Sequence, residues 1–261
     1  MSPAPDQQVL LRVSQVSKRF GGLDALTDVS LDVRRGEIFG VIGPNGAGKT
    51  TLFNVITGLY AADGGHCMLD GRSLAGAKPH LVAELGMTRT FQNIRLFHDM
   101  TALENVMVGR HVRTHGGLIA ALLRLPSAMR EEAGVARRAH ELLDYCDVAH
   151  HANSLAKHLP YGDQRRLEIA RALATDPKIV ALDEPAAGMN ATETETLKSL
   201  LERIRADGRA ILIIEHDVKL MMGLCDRVAV LDYGRKIAEG PPSAVRSDPA
   251  VVAAYLGGAD A

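Results

Sequence analysis

The chain has 261 residues, 46% hydrophobic and 23% charged, enough for one α/β domain with a subdomain or at most two small domains around a sizeable core. Its formal net charge is −1, so no overall positive field favours nucleic acid or anionic lipid, and composition argues against DNA binding as the main task. Three cysteines, Cys67, Cys146 and Cys225, lack metal-ligand spacing and read as thiols of a reducing compartment.

Residues 1–8 are polar and contain proline, without the apolar stretch of a signal peptide, and read as a flexible tail. Val29, Leu31 and Val33 alternate with Ser30 and Asp32, which predicts a half-buried strand. Arg35-Gly36 turns the chain into a second strand, Glu37–Ile42, that runs into a Gly-rich loop and a helix over Thr50–Leu59. Asp70-Gly71 marks a tight turn between short strands. From Glu104 to Cys146 the pattern is helical, with Val135, Ala139, Leu142, Leu143 and Cys146 on one face. Its most apolar run, Gly117 to Leu123, falls far short of the ~20 residues of a membrane span, so any spans must come from other chains. A further helix begins near Gln164. Lys178–Leu182 and Ala210–Ile214 are short apolar runs typical of buried parallel strands. Between them Leu197, Leu200, Leu201 and Ile204 form an amphipathic helix stopped by Asp207-Gly208. Val228–Leu231 and Lys236–Ala238 flank Tyr233-Gly234 as a hairpin, and Asp248-Pro249 starts a last helix. The order is that of an α/β core with a helical arm inserted into it.

Gly43, Pro44, Asn45, Gly46, Ala47, Gly48, Lys49 and Thr50 fit the G-x-x-x-x-G-K-[ST] pattern. Such glycines let backbone N–H groups curl around phosphate, and the following helix adds its positive end. Lys49 supplies charge between β- and γ-phosphates, and the Thr50 hydroxyl is a ligand for Mg²⁺. Asp183, closing the strand at Ile179–Leu182, is the carboxylate Mg²⁺ needs, and Glu184 beside it is placed to polarise a water.

With five more places in the sequence, these residues resemble the nucleotide-binding subunits of ABC transporters over nearly the whole chain. Thr90-Phe91-Gln92-Asn93 is similar to the segment whose glutamine reaches Mg²⁺ and the attacking water. Leu159-Pro160-Tyr161-Gly162-Asp163-Gln164 stands where the family has its signature, Leu-Ser-Gly-Gly-Gln. Ala187-Gly188-Met189-Asn190 falls at the subunit-contacting loop, and His216 follows the last apolar strand as the switch histidine does. Phe20, 23 positions before Gly43, matches the aromatic that stacks on adenine.

The resemblance implies a P-loop NTPase (RecA-like) core with an antiparallel β subdomain and an inserted helical subdomain. It implies one domain over residues 9–248, the helical subdomain over about 93–175, and a C-terminal helix and tail over 249–261. It extends the ATP contacts through Thr51, assigns Glu184, His216 and Gln92 to hydrolysis, and assigns Thr50, Gln92 and Asp183 to Mg²⁺. Leu159, Tyr161, Gly162, Asp163 and Gln164 would face the ATP of a second, head-to-tail subunit.

The signature departs from the pattern at Pro160, which lacks a hydroxyl and an N–H, at Tyr161 and at Asp163. One reading is a weakened site; the other is that the Gly162 N–H and the helix N-terminus suffice. Asn190, where the contact loop commonly ends in Asp, leaves subunit coupling open in the same way.

Several runs are similar to one branch, the ATP-binding subunits of branched-chain amino acid importers. They are Gly43–Thr51 with Leu52-Phe53-Asn54, Thr90 through Phe97, Asp183 through Gly188, Ile214-Glu215-His216-Asp217, the long insertion from His111 to Arg130, and Tyr255-Leu256-Gly257. Importers of urea or short amides share much of this pattern. A non-transport ABC ATPase acting on ribosomes or DNA is the rival class, against which stand the single cassette and the absence of a heptad run or basic tail.

The branch implies a second ABC ATPase subunit in a hetero- or homodimer, two transmembrane permease subunits and a periplasmic substrate-binding protein, with no nucleic acid. The expected location is cytoplasmic, peripheral on the inner face of the membrane, with Gln92–Met100 as the permease-docking stretch. His150-His151 with His158 show no third ligand at diagnostic spacing and read as solvated positions around a helix end.

Overall fold

The computed structural model describes residues 9–113 and 126–256. The 1–8 tail, the apolar run at 117–123 and the end of the C-terminal segment, including Gly257, lie outside the described residues.

A long hairpin comes first: β1 (Val9–Phe20) pairs antiparallel with β2 (Leu23–Arg34). The alternation seen in the sequence holds in β2, where Val29, Leu31 and Val33 are buried. β4 (Gly64–Leu69) and β5 (Arg72–Ser73) complete the sheet in the order β2-β1-β4-β5. Asp70 and Gly71, at φ 48° and 76°, make the turn between them.

The second sheet is built on β3 (Ile38–Ile42), β6 (Met87–Arg89), β7 (Ile179–Asp183), β8 (Ala210–Ile214), β9 (Arg227–Asp232) and β10 (Arg235–Gly240). Its order is β10-β9-β3-β8-β7-β6, parallel throughout except for the β9–β10 hairpin. Apolar strands of this kind need cover on both faces, and they have it. Ile38, Ile42, Val180, Leu182, Ile211 and Ile213 face one core, shared with the helices of the arm. Phe39, Val41, Ile179, Ala181 and Leu212 face the other, shared with the antiparallel sheet and α1 (Lys49–Ile56).

The remaining helices are α2 (Pro79–Leu85), α3 (Ala102–Arg110), α4 (Pro126–Tyr145), α5 (Tyr161–Leu173), α6 (Ala191–Ala206), α7 (Val218–Leu224), α8 (Pro242–Arg246) and α9 (Pro249–Leu256). α3 opens on a capping box, Thr101 with Glu104. Fully buried Asn105 holds the loop before it, accepting from the Phe97 N–H at 2.9 Å and donating to the Phe97 and Thr101 carbonyls at 3.0 Å each. α5 begins at Tyr161, three residues earlier than its apolar pattern suggests, because Pro160 is its N-cap. Asp248 caps α9, accepting from the Ala250 N–H at 2.8 Å. Among the described residues no helix is long and apolar enough to cross a membrane.

Candidate nucleotide site

The phosphate loop leaves the end of β3 and enters α1. Gly43, Gly46 and Gly48 adopt φ of 154°, 79° and 98°. At Gly43 the requirement is also steric, since a Cβ there would stand 2.1 Å from the Leu231 carbonyl oxygen. The β9–β10 turn braces the loop: the Gly234 N–H donates to the Ala47 carbonyl at 3.0 Å, while its own carbonyl accepts from Thr27 of β2 at 2.8 Å. That turn therefore ties both sheets to the loop.

Lys49 Nζ donates to the Gly43 and Pro44 carbonyls at 2.7 and 2.8 Å. Burial pushes its pKa down, and the carboxylates of Glu184 and Asp183 oppose that. Thr50 is exposed at the start of α1, with Thr51 next to it and partly buried.

Asp183 ends β7, 4% exposed, and accepts from Arg89 Nη2 at 2.6 Å. Arg89 also reaches Asn54 Oδ1 at 2.5 Å and Thr57 Oγ1 at 3.2 Å. Glu184 then sits at φ 47°, a left-handed conformation that costs a non-glycine residue about 1–3 kcal/mol. Its N–H donates to the Ile214 carbonyl at 2.9 Å, which turns the side chain out of the strand line. Gln92 Nε2 donates to Glu184 Oε2 at 2.8 Å, and His216 Nδ1 lies 3.6 Å from the same oxygen. Three residues separated by up to 124 positions in the chain thus meet at the ends of β6, β7 and β8.

His216 is supported from below by Glu215, which is fully buried. The Glu215 carboxylate accepts from the N–H groups of Ala186 at 2.7 Å and His216 at 3.1 Å. Desolvation raises its pKa, and these hydrogen bonds work against the rise.

The backbone around Gln92 is clamped from α5. Arg165 donates to the carbonyls of Phe91, at 2.6 Å, and of Gln92. Glu168 accepts from Arg165 at 3.1 Å and from the Phe91 and Arg95 N–H groups at 3.4 and 3.3 Å. Both side chains are 2% exposed. The sequence assigns Arg165 and Glu168 no role of their own, assigns none to Arg89, and marks Glu215 only within the run Ile214–Asp217. Their i, i+3 spacing on a helix was the available signal for the first pair.

The signature segment sits at the N-terminus of α5. Leu159 is buried and its carbonyl accepts from Gln164 Nε2 at 2.8 Å. Asp163 pairs with Arg166 and lies 2.9 Å from His151 Nε2. Tyr161 is half exposed, and its ring flanks Gly188 in the turn that precedes α6. A Cβ at Gly162 would meet Glu193 Oε1 at 2.7 Å, so α5 packs tightly on the start of α6. Asn190 caps α6 in a capping box with Glu193. Phe20, at the end of β1, is 42% exposed and meets Tyr60 edge-on at 5.3 Å.

A family model for ABC transporters matches residues 26–187. The chain belongs to the ABC transporter family. A second family model, for branched-chain amino acid ATP-binding cassette transporters, matches residues 235–261 of this cassette. The cassette is 47% identical over 251 residues to a Salmonella typhimurium protein, the high-affinity branched-chain amino acid transport ATP-binding protein LivG, covering 96% of this chain and 98% of the relative. It is 44% identical to BraF of Pseudomonas aeruginosa, covering 95% and 98%, a protein of the same description. Among solved structures, the ADP conformation of MJ1267, an ABC transporter cassette, superposes with a TM-score of 0.83 at 33% identity, covering 96% of this chain and 99% of that one. The fold is that of an ABC ATPase cassette, an enzyme domain that binds nucleotide.

Proposed function

We propose that this cassette is the ATP-hydrolysing subunit of an importer for branched-chain amino acids, working with MgATP and separate permease chains. The convergence of Gln92, Glu184 and His216 beside the phosphate loop carries the hydrolytic half of the reading. The substrate half rests on the relatives' names and the C-terminal family match.

In this reading the loop from Gly43 to Thr51 wraps the phosphates with its N–H groups. Lys49 exchanges the Gly43 and Pro44 carbonyls for oxygens of the β- and γ-phosphates. The Thr50 hydroxyl, the Asp183 carboxylate and the Gln92 amide oxygen form an oxygen donor set that suits Mg²⁺. The ion, when bound, neutralises charge on the β- and γ-phosphates. Glu184 polarises the attacking water, Gln92 orients that carboxylate, and His216 faces the charge that develops on the γ-phosphate. Phe20 stacks on adenine.

The segment from Leu159 to Gln164 faces the ATP of a second cassette. The first intrahelical bond of α5 runs from the Gln164 N–H to the Pro160 carbonyl, so the N–H groups of Tyr161, Gly162 and Asp163 are the unpaired first-turn donors of a helix. That favours a competent signature over a crippled one. A solved cassette with 25% identity and a TM-score of 0.76, MJ0796, is described as dimeric, which supports a paired assembly. The pair, homo- or heteromeric, works with two permeases and a periplasmic substrate-binding protein, on the cytoplasmic face of the membrane. Exposed Phe97 belongs to the surface facing the permease.

The test is uptake of labelled leucine, isoleucine, valine and urea in cells lacking this chain, rescued by wild type or by Glu184→Gln. Loss of branched-chain amino acid uptake, restored by wild type alone, is the expected result. Intact amino acid uptake with lost urea uptake would overturn the substrate and leave the engine.

A further inference from the structure

Outside the nucleotide site, one group of potential metal ligands stands out among the described residues. His150 and His151 lie in the short 3₁₀ turn Ala149–His151, and Asp163 lies in the first turn of α5. One ligand atom from each comes within 4.8 Å of the other two. His151 Nε2 and Asp163 Oδ2 are already 2.9 Å apart, and the two imidazole rings have centroids 4.1 Å apart at a tilt of 44°. The third group is thus not His158 but an aspartate from the signature helix, 12 residues beyond His151.

We propose that His150, His151 and Asp163 bind a divalent transition-metal ion of the zinc class. Two imidazoles with one carboxylate are a donor set that suits Zn²⁺ and not Mg²⁺ or Ca²⁺, which favour oxygen alone. Around an ion with bonds of about 2.0–2.1 Å, tetrahedral ligands stand ~3.3 Å apart. The His151–Asp163 pair has to open by a few tenths of an ångström, and exposed His150 closes the rest by side-chain rotation. Asp163 and His151 are 13% and 23% exposed, so two ligands are shielded while His150 gives the ion a path in and leaves a fourth position for water. Arg166 on Asp163 Oδ1 fixes the carboxylate with Oδ2 turned to His151, and its charge also opposes the ion, which sets the site as a reversible one. Bound metal would tie the 3₁₀ turn to the signature helix at a residue that faces the partner's ATP under the reading above; the binding itself does not depend on that reading.

The experiment uses the purified full chain without nucleotide, because ATP chelates the probe. Zn²⁺ uptake is measured by equilibrium dialysis, and Co²⁺ serves as a spectroscopic stand-in. One ion per chain, with visible Co²⁺ bands of tetrahedral type and no thiolate charge transfer, is expected for wild type. The thiols of Cys67, Cys146 and Cys225 are buried, with pKa values pushed up to about 11, 12 and 12, and compete poorly. Both signals should be lost in His150→Ala, an exposed position that leaves the fold intact, and in Asp163→Asn. Zn²⁺ should raise the melting temperature of wild type and of neither variant. No stoichiometric uptake by wild type, or equal uptake by His150→Ala, would reduce the cluster to a hydrogen-bonded pair beside a solvated histidine and overturn the proposal.

Discussion

The phosphate loop and the signature segment are held in place by different means. Around the loop the work is done by backbone: three glycines with positive φ, a carbonyl of β9 that excludes any Cβ at Gly43, and a β9–β10 turn hydrogen-bonded to it. Around the signature it is done by charged side chains, with Arg165 and Glu168 buried against the Gln92 backbone and Asp163 held by Arg166 and His151. A backbone device tolerates little change in sequence, because only glycine fits. A side-chain device tolerates change at the segment itself as long as the supporting charges remain, which is how Pro160, Tyr161 and Asp163 stand where the family pattern has other residues.

Four substitutions probe that contrast. The largest effect belongs to neither support: Glu184→Gln should lower phosphate release about 10²–10⁴-fold with nucleotide binding retained, and binding lost in parallel would indicate a folding defect instead. Next, Arg165→Met leaves Glu168 buried without its partner, and urea melts should show a loss of roughly 3–5 kcal/mol. A loss no larger than that of an exposed arginine would break the comparison, since the signature side would then not depend on charge. Asn190→Ala removes a helix cap, for about 1 kcal/mol by the same melts; a much larger loss would mean that the contact loop itself is stabilised through Asn190. The smallest change is expected of Pro160→Ser, a modest shift in hydrolysis rate at constant stability. A large gain there would show that the natural signature is crippled and that its supports preserve a weak site.

Most of the fold and much of the site were legible because they depend on local pattern. The alternation in β2, the apolar runs of β7 and β8, and the Gly-Lys-Thr turn each carry their own physical signature. β1 was not read, because its apolar residues are interrupted by shifts of register against β2. α2 and β6 are too short for periodicity to speak, at seven and three residues. At the site, the meeting of Gln92 with Glu184 followed from family resemblance, whereas Glu168, Glu215 and Arg89 are defined by burial and by partners 29 to 94 positions away. Such residues look like ordinary surface charges until the chain is folded. His158 was grouped with the histidine pair by proximity in sequence, and Asp163 takes its place by proximity in space.

Under the hydrolytic role proposed for Glu184, its left-handed backbone sets durability against work in the cassette. Glycine would occupy φ 47° without strain, so Glu184→Gly should relax the turn while removing the carboxylate. A laboratory population selected for heat resistance alone would then drift toward dead enzymes at this position, and only a host that needs the transported nutrient would hold the glutamate in place.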